Sequence, residues 1–415
     1  MRVGEVGSPQ RGGFGKPLDG VRILAPEQMQ ALPYATQLMG YLGAEVVKVE
    51  HPTTGDSGRG AKPSLIDRDG REVGATYLRN NLGKKSISID LKREEGRELF
   101  KRLVPHFDIV AENFKPGTMR RLGLDYETLS ALSPRLIYVS VSGFGNLTGT
   151  PYGSWPAYAP VAEAMAGFLE EHREPGKPPR VGVAGTLGDT GSALFAVIGT
   201  LAALRHRDRT GVGEHVDVAM YDAMVAMADL VPSMYSLGVR RTPGKPVGAG
   251  IVNGFAARDG YFIVQVIREH QFERLAAVIG HPEWLSDPRL KTRQGWADHL
   301  DSVIRPAIES WAASKSKLEA STELAEAGIA AGPSNSAADI VADVHVQSHN
   351  MLIEVPKARD DGDFLCVGNP VKLSRMAEGP VTRWPTLGEH TAEVLQAVLG
   401  LGEDELAGLR SRGVI

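Results

Sequence analysis

The stretch VRILAPEQMQALPYATQLMGYLGAEVVKVE, residues 21–50, decides the fold. VRILA is a short, continuous apolar run, which is typical of a buried strand, and AEVVKVE is a second run of the same kind. Between them, ALPYATQLMGYLG has the length of a helix and ends at a glycine, a common helix stop. Together these segments predict a β-α-β unit.

The same alternation continues along the next part of the chain. KSISIDL, EEGRELFKRLVPHF, DIVAENF and LIYVSVSGFG extend it over about 125 residues, and GEHVDVAMYDAMVAMADLV adds a further strand and helix. Strands that alternate with helices in this way favour a mainly parallel sheet covered by helices. The predicted fold class is therefore α/β, with a doubly wound, Rossmann-like domain.

Changes of composition predict the domain boundaries. The glycine-rich residues 1–16 predict a flexible tail, and residues 17–237 are predicted as the N-terminal part of the large domain. Glycine, proline and basic residues crowd 238–254, which predicts a linker with a glycine-rich loop. Residues 255–340 predict a smaller domain of strands and helices. The remaining residues, 341–415, are predicted as a return linker and the C-terminal part of the large domain; they are helical near their end and carry no linker signal of a separate domain.

Composition narrows the function classes. The 415 residues are 42% hydrophobic and 23% charged, an ordinary globular composition, and the net charge of −4 provides no broad basic field for nucleic acid. The single cysteine, Cys366, excludes an intramolecular disulfide framework and a cysteine-based zinc site, and it fits a reducing compartment. No apolar run approaches the roughly 20 residues of a membrane helix, and the N-terminal region lacks a secretory apolar core. We expect a soluble, cytoplasmic protein.

Three kinds of site find weak support. Glu50 ends the second strand and invites a dinucleotide interpretation, but the glycine fingerprint is missing and GFGNLTG, 143–149, has the wrong spacing. His345 and His349 are four residues apart, yet no glutamate base lies between them and no third ligand is near, so no metal is expected. The chain also lacks the G-x-S-x-G elbow of the simplest serine hydrolases.

Asp189 begins the apolar stretch GDTGSALFAVIGTLAAL and has two interpretations. Aspartate is a favoured N-cap, and spacing alone favours that role over catalysis. The two roles are compatible, because a helix N-terminus stabilises a carboxylate and the flanking Gly188 and Gly191 would let a bulky substrate approach.

Basic residues of the first domain form a second candidate cluster. Lys84 and Lys85 precede a strand, Lys115 follows ENF, and Arg120 and Arg121 lie in the next helical turn. Taken alone, they are typical of solvated loop and helix charges. If they converge at the carboxyl edge of the sheet, they would suit a phosphate-rich ligand.

Several segments together resemble the family III CoA transferases, also called the CaiB/BaiF family. In order from about residue 17 they are PLDGVRIL, QLMGYLGAEVVKVEHPTTGD, NNLGKKSISIDL, DIVAENFKPGTMRRLGL, GFG, GDTGSALFAVIGTLAAL, GEHVDVAMYDA, GIAAGPSN and LGEHTAEVL. The family includes formyl-CoA and carnitine-CoA transferases and α-methylacyl-CoA racemases. The resemblance implies a Rossmann-like large domain built from both chain ends, a smaller α+β middle domain and an interlocked homodimer.

The resemblance also assigns residues. It makes Asp189 the catalytic nucleophile, with Gln30 and Tyr158 as further catalytic residues. The implied CoA-binding residues are Gln28, Met29, Ala31, His51, Asn81, Lys84, Lys85, Asn113, Phe114 and Arg121. Gly248, Gly250 and Gly254 fall in a mobile glycine loop that covers the site. No tightly bound cofactor is implied; the substrates are acyl-CoA, or coenzyme A, and small carboxylic acids.

The family contains alternatives, which can be compared at particular positions. The racemase branch has a histidine where this chain has Tyr158, and tyrosine is typical of the transferase branch. Pro156, Ala159 and His51 depart from the residues of oxalate-specific transferases, which argues against a formyl/oxalate substrate pair. A racemase-like epimerase and a non-catalytic CoA-binding protein remain the alternatives to a transferase.

Overall fold

The computed structural model describes residues 1–147, 149–171, 173–182, 186–228, 231–239, 250–359 and 362–415. The chain divides into two compact units. The large unit consists of Met1–Arg240 together with His345–Ile415, so both ends of the chain belong to it. The small unit is Arg241–Val344.

The described residues contain the following elements. The strands are β1 Arg22–Ala25, β2 Glu45–Glu50, β3 Ser64–Ile66, β4 Glu72–Gly74, β5 Lys85–Ser88, β6 Ile109–Glu112, β7 Ile137–Ser142, β8 His215–Ala219, β9 Ile251–Ala257, β10 Gly260–Val266, β11 Ala330–Pro333, β12 Leu352–Pro356 and β13 Asp363–Val367. The α-helices are α1 Ala31–Tyr41, α2 Ala75–Asn80, α3 Glu94–Leu103, α4 Thr118–Leu122, α5 Tyr126–Leu132, α6 Ala159–Met165, α7 Phe168–Glu171, α8 Leu187–Thr210, α9 Met220–Met227, α10 Val231–Ser236, α11 Glu269–Val278, α12 Arg293–Asp298, α13 Arg305–Ala312, α14 Lys317–Glu326, α15 Ala337–Ala342, α16 Val344–Ser348, α17 Thr391–Leu399 and α18 Glu403–Ser411. Short 3-10 helices cover Pro9–Arg11, Ser57–Gly60, Val104–His106, Pro282–Leu285 and Pro288–Leu290, and a π-helical turn covers Leu300–Ile304.

A six-stranded sheet forms the centre of the large unit. Its order is β5-β2-β1-β6-β7-β8 and every pair is parallel, so the predicted parallel sheet is confirmed. From β1 the chain first adds β2 and β5 on one side, then β6, β7 and β8 on the other. The strand order therefore reverses between β1 and β6. In open α/β sheets, ligands bind in the crevice at the carboxyl ends of the strands beside such a reversal.

The two faces of the sheet carry separate cores. Ile23 and Leu24 are neighbours in β1, and because strand side chains alternate they pack on opposite faces, each with no exposed area. The Ile23 face is covered by α1 and α8, and the Leu24 face by α3 together with α17 and α18. Val394 and Leu395 of α17 are buried in the second core. Residues close to the end of the sequence thus complete the large unit.

Residues 2–7, which belong to the segment predicted as a flexible tail, form hydrogen bonds and ion pairs with later parts of the chain. The Val3 N–H donates to the Glu354 carbonyl at 3.1 Å, and Gly7 and Glu378 exchange two backbone hydrogen bonds of 2.9 Å. Arg2 forms ion pairs with Glu354 and Asp363. The strand β12 pairs only with β13 among the named strands, and the backbone groups of Glu354 on its other edge bond to Met1 and Val3.

The helix α8 passes through the large unit beside α1, β7 and β8. By length and composition its 24 residues could cross a membrane, the one such helix in the described part of the chain, and 44% of its most apolar window is buried. Its inward face carries Ala193, Ala196 and Ala203, all buried in the core beneath α1. One face of α8 therefore belongs to the core of the large unit.

The small unit is built on the antiparallel sheet β11-β10-β9. Phe255 and Phe262 pack from this sheet against α11, α13 and α14 in one core. The strand β9 includes 251–254, which the sequence predicts as linker; all four residues pair with β10, and Ile251 is buried in the core.

Candidate active site

A cavity of about 410 Å³ opens at the carboxyl edge of the central sheet. It adjoins the loop after β1, the loop after β6 and the start of α8. Eight of the predicted site residues line it together: Gln28, Met29, Gln30, Ala31, Asn113, Phe114, Tyr158 and Asp189. Residues from four separate parts of the sequence therefore meet at one place.

Reciprocal hydrogen bonds fix the loop between β1 and α1. The Gln28 N–H donates to Asn113 Oδ1 at 2.8 Å, and the Asn113 amide donates to the Gln28 carbonyl at 2.8 Å. Met29 has a φ of 63°, a left-handed conformation that costs a non-glycine residue roughly 1–2 kcal/mol. Its N–H donates to Asp56 Oδ1 at 2.9 Å, which stabilises this conformation. The loop is thus held by neighbours on both sides.

Asp189 lies in the first turn of α8 but is not its N-cap, which corrects the sequence interpretation. Thr186 occupies the N-cap position, and Asp189 is the third residue of the helix. The Gly188 N–H, at the start of this helix, donates instead to Oε1 of Glu163 in α6 at 2.9 Å. The spacing Thr186-x-x-Asp189 matches the capping-box pattern, so the sequence could have predicted Thr186, three residues before Asp189, as the N-cap.

The surroundings of Asp189 favour a reactive carboxylate. Burial raises the pKa of Asp189, and the Glu163 carboxylate adds to this rise. The Thr186 hydroxyl donates to Asp189 Oδ2 at 2.9 Å, and this bond, together with the charge of Arg79, opposes the rise. Burial raises the pKa by disfavouring the charged carboxylate, and a carboxylate that has lost water is a better nucleophile.

The glycines beside Asp189 serve packing, which corrects their expected role in substrate access. A Cβ on Gly188 would lie 2.7 Å from the Cα of Ala159, and one on Gly191 would lie 2.5 Å from the Met227 sulfur. Both glycines therefore face the protein interior. The contact with Ala159 brings α8 close to α6, and Tyr158, the N-cap residue of α6, reaches the cavity with 74% of its surface exposed.

Five of the ten predicted CoA-binding residues do not line this cavity: His51, Asn81, Lys84, Lys85 and Arg121. Lys84 is buried and donates to Glu27 Oε1 at 2.7 Å, and burial lowers its pKa to about 8. Asn81 is also buried and donates to the Tyr77 carbonyl.

Lys85 lies at the other end of its strand. It begins β5 and pairs at 3.0 Å with Glu45, which begins β2, at the amino edge of the sheet. Lys85 therefore lies away from the carboxyl edge, where the cavity opens. A motif match does not show at which end of a strand a residue lies.

A second cavity, of about 300 Å³, shares Gln28 and Phe114 with the first. The predicted His51 lines it, and so does Lys92, which sequence reasoning missed. Lys92 follows the carboxyl end of β5, and that position was the available signal. Arg121 is exposed on α4 and donates to Oγ1 of Thr118, another residue of the cavity wall.

The predicted glycine loop is not formed by the glycines that the structure describes. Gly254 lies inside β9, opposite Ile263 of β10, and therefore belongs to a strand. Gly250 immediately precedes β9 with a φ of +123°, and a Cβ there would lie 2.7 Å from the Val266 carbonyl oxygen. Gly248 lies outside the described residues.

The alternative sites have structural explanations. Glu50 forms a buried ion pair of 2.7 Å with Arg59, so it is not free to bind a ribose. His345 and His349 stack at 4.0 Å between ring centroids. Within the described ranges, no group of three or more His, Cys, Asp or Glu residues could hold a metal ion.

Comparison with known proteins identifies the family. Residues 18–391 match the family model described as CoA-transferase family III. The chain belongs to CoA-transferase family III. This CoA-transferase is 36% identical to succinyl-CoA–D-citramalate CoA-transferase of Chloroflexus aurantiacus, over 96% of this chain and 98% of that protein. It is 35% identical to formyl-CoA:oxalate CoA-transferase of Streptomyces avermitilis, over 96% and 100%.

A solved structure agrees with this assignment. The crystal structure of a CaiB/BaiF family protein from Brucella suis is 32% identical, with a TM-score of 0.81 over 92% of this CoA-transferase and 100% of that chain. The family resemblance of the sequence motifs is confirmed.

Proposed function

We propose that this CoA-transferase moves CoA from a donor acyl-CoA to an acceptor carboxylic acid through covalent intermediates on Asp189. The observation that carries the proposal is the position of the Asp189 carboxylate. It lines a cavity with Gln30 and Tyr158 at the carboxyl edge of a parallel sheet. A half-buried carboxylate beside a cavity is suited to attack a bound thioester.

The two adjoining cavities support a binding mode for CoA. The second cavity has apolar walls that include Ile89 and Leu91, which suit the flat adenine ring. Lys92 and the exposed Arg121 supply positive charge for the phosphates, since both side chains stabilise phosphate by charge-assisted hydrogen bonds. The pantetheine arm would pass the shared residues Gln28 and Phe114 and bring the thioester to Asp189.

The first half of the reaction loads CoA onto the enzyme. A carboxylate oxygen of Asp189 attacks the thioester carbonyl carbon, the C–S bond breaks, and CoA leaves as a thiolate. The product is a mixed anhydride. The thiolate then attacks the aspartyl carbonyl carbon and the donor acid leaves as a carboxylate, so an aspartyl-CoA thioester remains.

The second half delivers CoA to the acceptor. The acceptor carboxylate attacks the aspartyl thioester and releases the CoA thiolate, which gives a second anhydride. The thiolate attacks the acceptor acyl carbon, so a new acyl-CoA forms and Asp189 is regenerated. Each covalent intermediate is open to hydrolysis, and exclusion of water is therefore a requirement of the site.

Mass spectrometry tests the proposal. Purified protein is incubated with pairs of acyl-CoA and free acid, beginning with succinyl-CoA and formyl-CoA as donors and D-citramalate and oxalate as acceptors, the compounds named for its relatives. We expect a new CoA thioester with at least one pair and, after hydroxylamine, a hydroxamate on Asp189. Exchange without any modification at Asp189 would overturn the assignment of the nucleophile.

We also propose that the enzyme is an interlocked homodimer. Both chain ends belong to the large unit, as threading of two chains requires. The outer face of α8 carries Leu194, Ile198 and Leu201, with 47%, 60% and 39% of their surfaces exposed. Their spacing forms one apolar stripe along the helix, and a second copy of the chain is the occupant that would bury it.

A further inference from the structure

Asp189 is the last member of a hydrogen-bonded chain that begins at Gln30. The Gln30 side-chain amide donates to Thr186 Oγ1 at 2.7 Å, and Thr186 Oγ1 donates to Asp189 Oδ2 at 2.9 Å. The direction of this chain follows from its groups. An amide NH₂ can only donate, so the Thr186 hydroxyl accepts from Gln30 and its single proton is directed at Asp189.

The two oxygens of the Asp189 carboxylate are therefore different. Oδ2 accepts the Thr186 hydroxyl, whereas Oδ1 accepts no hydrogen bond from the residues that the structure describes. The unbound oxygen is the better nucleophile, because its electron pairs are not engaged. When Oδ1 attacks a thioester, Oδ2 becomes the carbonyl oxygen of the aspartyl half of the anhydride and keeps its hydrogen bond.

We propose that Thr186 is a catalytic residue that directs the returning CoA thiolate to the aspartyl carbonyl of the anhydride. The inference rests on the proposed function. The anhydride has two carbonyl carbons, and attack at the donor acyl carbon only reverses the first step. A hydroxyl that donates to Oδ2 stabilises the negative charge that develops there during attack at the aspartyl carbon. The forward step is thereby favoured over return.

The bonds of this step balance without a further reactant. A bond forms between the CoA sulfur and Cγ of Asp189, and the negative charge of the thiolate passes to Oδ2. As the charge returns, the bond between Cγ and the bridging Oδ1 breaks, and the donor acid departs as a carboxylate. Thr186 keeps its proton throughout. Gln30 acts through Thr186 and is in this step a positioning residue.

Two substitutions separate the hydroxyl from the rest of the side chain. Thr186→Val keeps the shape and removes the donor, whereas Thr186→Ser keeps the donor. Each variant is mixed once with an acyl-CoA that the wild type accepts, and intact-protein mass spectrometry follows the aspartyl-CoA adduct. We expect its formation to slow about 10²-fold in Thr186→Val, the usual loss of one oxyanion donor, and to stay within a few-fold of wild type in Thr186→Ser.

Two further readouts exclude a structural explanation. CoA affinity by calorimetry and the thermal midpoint should be the same in all three proteins, and the hydroxylamine-trapped anhydride should persist in Thr186→Val. Gln30→Leu should add little to the loss in a Thr186→Val background, because it acts through the same hydroxyl. An additive loss would contradict that role of Gln30.

The role of Thr186 would be overturned if Thr186→Val formed the CoA adduct at the wild-type rate, or if Thr186→Ser formed it as slowly as Thr186→Val. Either result would leave the proposed function intact. Absence of both adducts on the wild type with every donor tested would overturn the proposed function, and the role of Thr186 with it.

Discussion

The Lys84 ammonium and the Glu27 carboxylate form a buried ion pair of 2.7 Å, and Glu27 directly precedes Gln28 in the loop between β1 and α1. Lys84 also donates to the Thr36 hydroxyl and to the Pro33 carbonyl, so all three of its protons are used inside the protein. Lys84, which the family resemblance assigns to CoA binding, thus stabilises the loop between β1 and α1.

Lys84→Met should therefore affect stability rather than phosphate binding. Lys84→Met removes the closer of two buried ammonium groups from Glu27 and leaves Lys48 at 3.6 Å, so we expect a loss of about 3 kcal/mol, the lower end for a broken buried ion pair, in the free energy of unfolding, measured with denaturant. The matched control is Lys85→Met. Its half-exposed ion pairs with Glu45 and Glu393 contribute about 1 kcal/mol or less. A Lys84→Met protein of normal stability and lowered CoA affinity would contradict this assignment.

Arg121→Ala should weaken CoA binding by about 1–3 kcal/mol, the scale of one charged hydrogen bond. Lys92→Ala should have an effect of similar size, because both cations adjoin the second cavity. Calorimetric titration with CoA measures both. Arg120→Ala is the control, since Arg120 is 74% exposed at its side chain and is paired with Asp125. Equal affinities for the Arg121→Ala and wild-type proteins would exclude Arg121 from the phosphate site.

Asp189→Asn should separate folding from chemistry. Asparagine retains an oxygen that accepts from Thr186, and Gly188 remains capped by Glu163, so the thermal midpoint should stay close to wild type. The neutral amide cannot form the anhydride, and acyl exchange should fall by about 10³-fold or more. Peptide mass spectrometry must show that the asparagine has not deamidated. Near-normal exchange by an intact Asp189→Asn protein would mean that another group is the nucleophile.

Ile198→Asp should disrupt the proposed dimer. An aspartate in the middle of the apolar stripe of α8 would place a charge in a buried interface, at a cost of several kcal/mol. Sedimentation velocity should show a wild-type dimer that persists on dilution, and a variant that is monomeric or aggregated. Leu318→Asp on α14 is the control, because Leu318 is 62% exposed, almost the same as Ile198. A folded wild-type monomer at nanomolar concentration would refute interlocking.

Glu112→Gln should change how stability depends on pH. Burial raises the pKa of Glu112 to about 7 from an ordinary value of 4.5, although Phe114 and Tyr138 donate to its carboxylate. The folded protein thus holds a proton that the unfolded chain releases. The stabilisation is complete below pH 4.5 and is lost as pH rises to about 7.

The glutamine variant has no proton to release at this position. Its free energy of unfolding should therefore fall less than that of the wild type between pH 4.5 and about 7, by up to about 3 kcal/mol. Denaturant titrations at both ends of this range, with each protein, measure the difference. Parallel pH profiles for the two proteins would show that Glu112 titrates normally.

The sequence was most informative where local pattern and function coincide. Apolar runs locate β1, β2 and the later strands because a parallel sheet is buried on both faces and needs continuous apolar segments. Asp189 and the loop Gln28–Gln30 were located by motif, and both line the first cavity. Their distances and partners come from the loops after β1 and β6, which only the folded sheet brings together.

The predictions that were wrong concern residues whose surroundings are set by distant parts of the sequence. Lys84, which precedes β5, is buried, and Lys92, which follows it, is exposed, and a list of basic residues does not distinguish the two. The hydrogen bond from Val3 to Glu354 joins residues from opposite parts of the sequence, so no local pattern predicts it. The cap of α8 likewise comes from Glu163, on another helix.

The arrival of α17 on the Leu24 face of the sheet has a consequence for how the protein is made. The Ser86 N–H donates to a ring nitrogen of His390, 304 residues further along, and Val394 and Leu395 share one buried core with Ile87 of β5. Until that helix docks, the core on this face of the sheet is incomplete. Contacts of such long sequence separation slow folding and expose intermediates to aggregation. A chain cut before α17 should therefore collect in the insoluble fraction, and slow, cool expression should improve the yield of the whole protein.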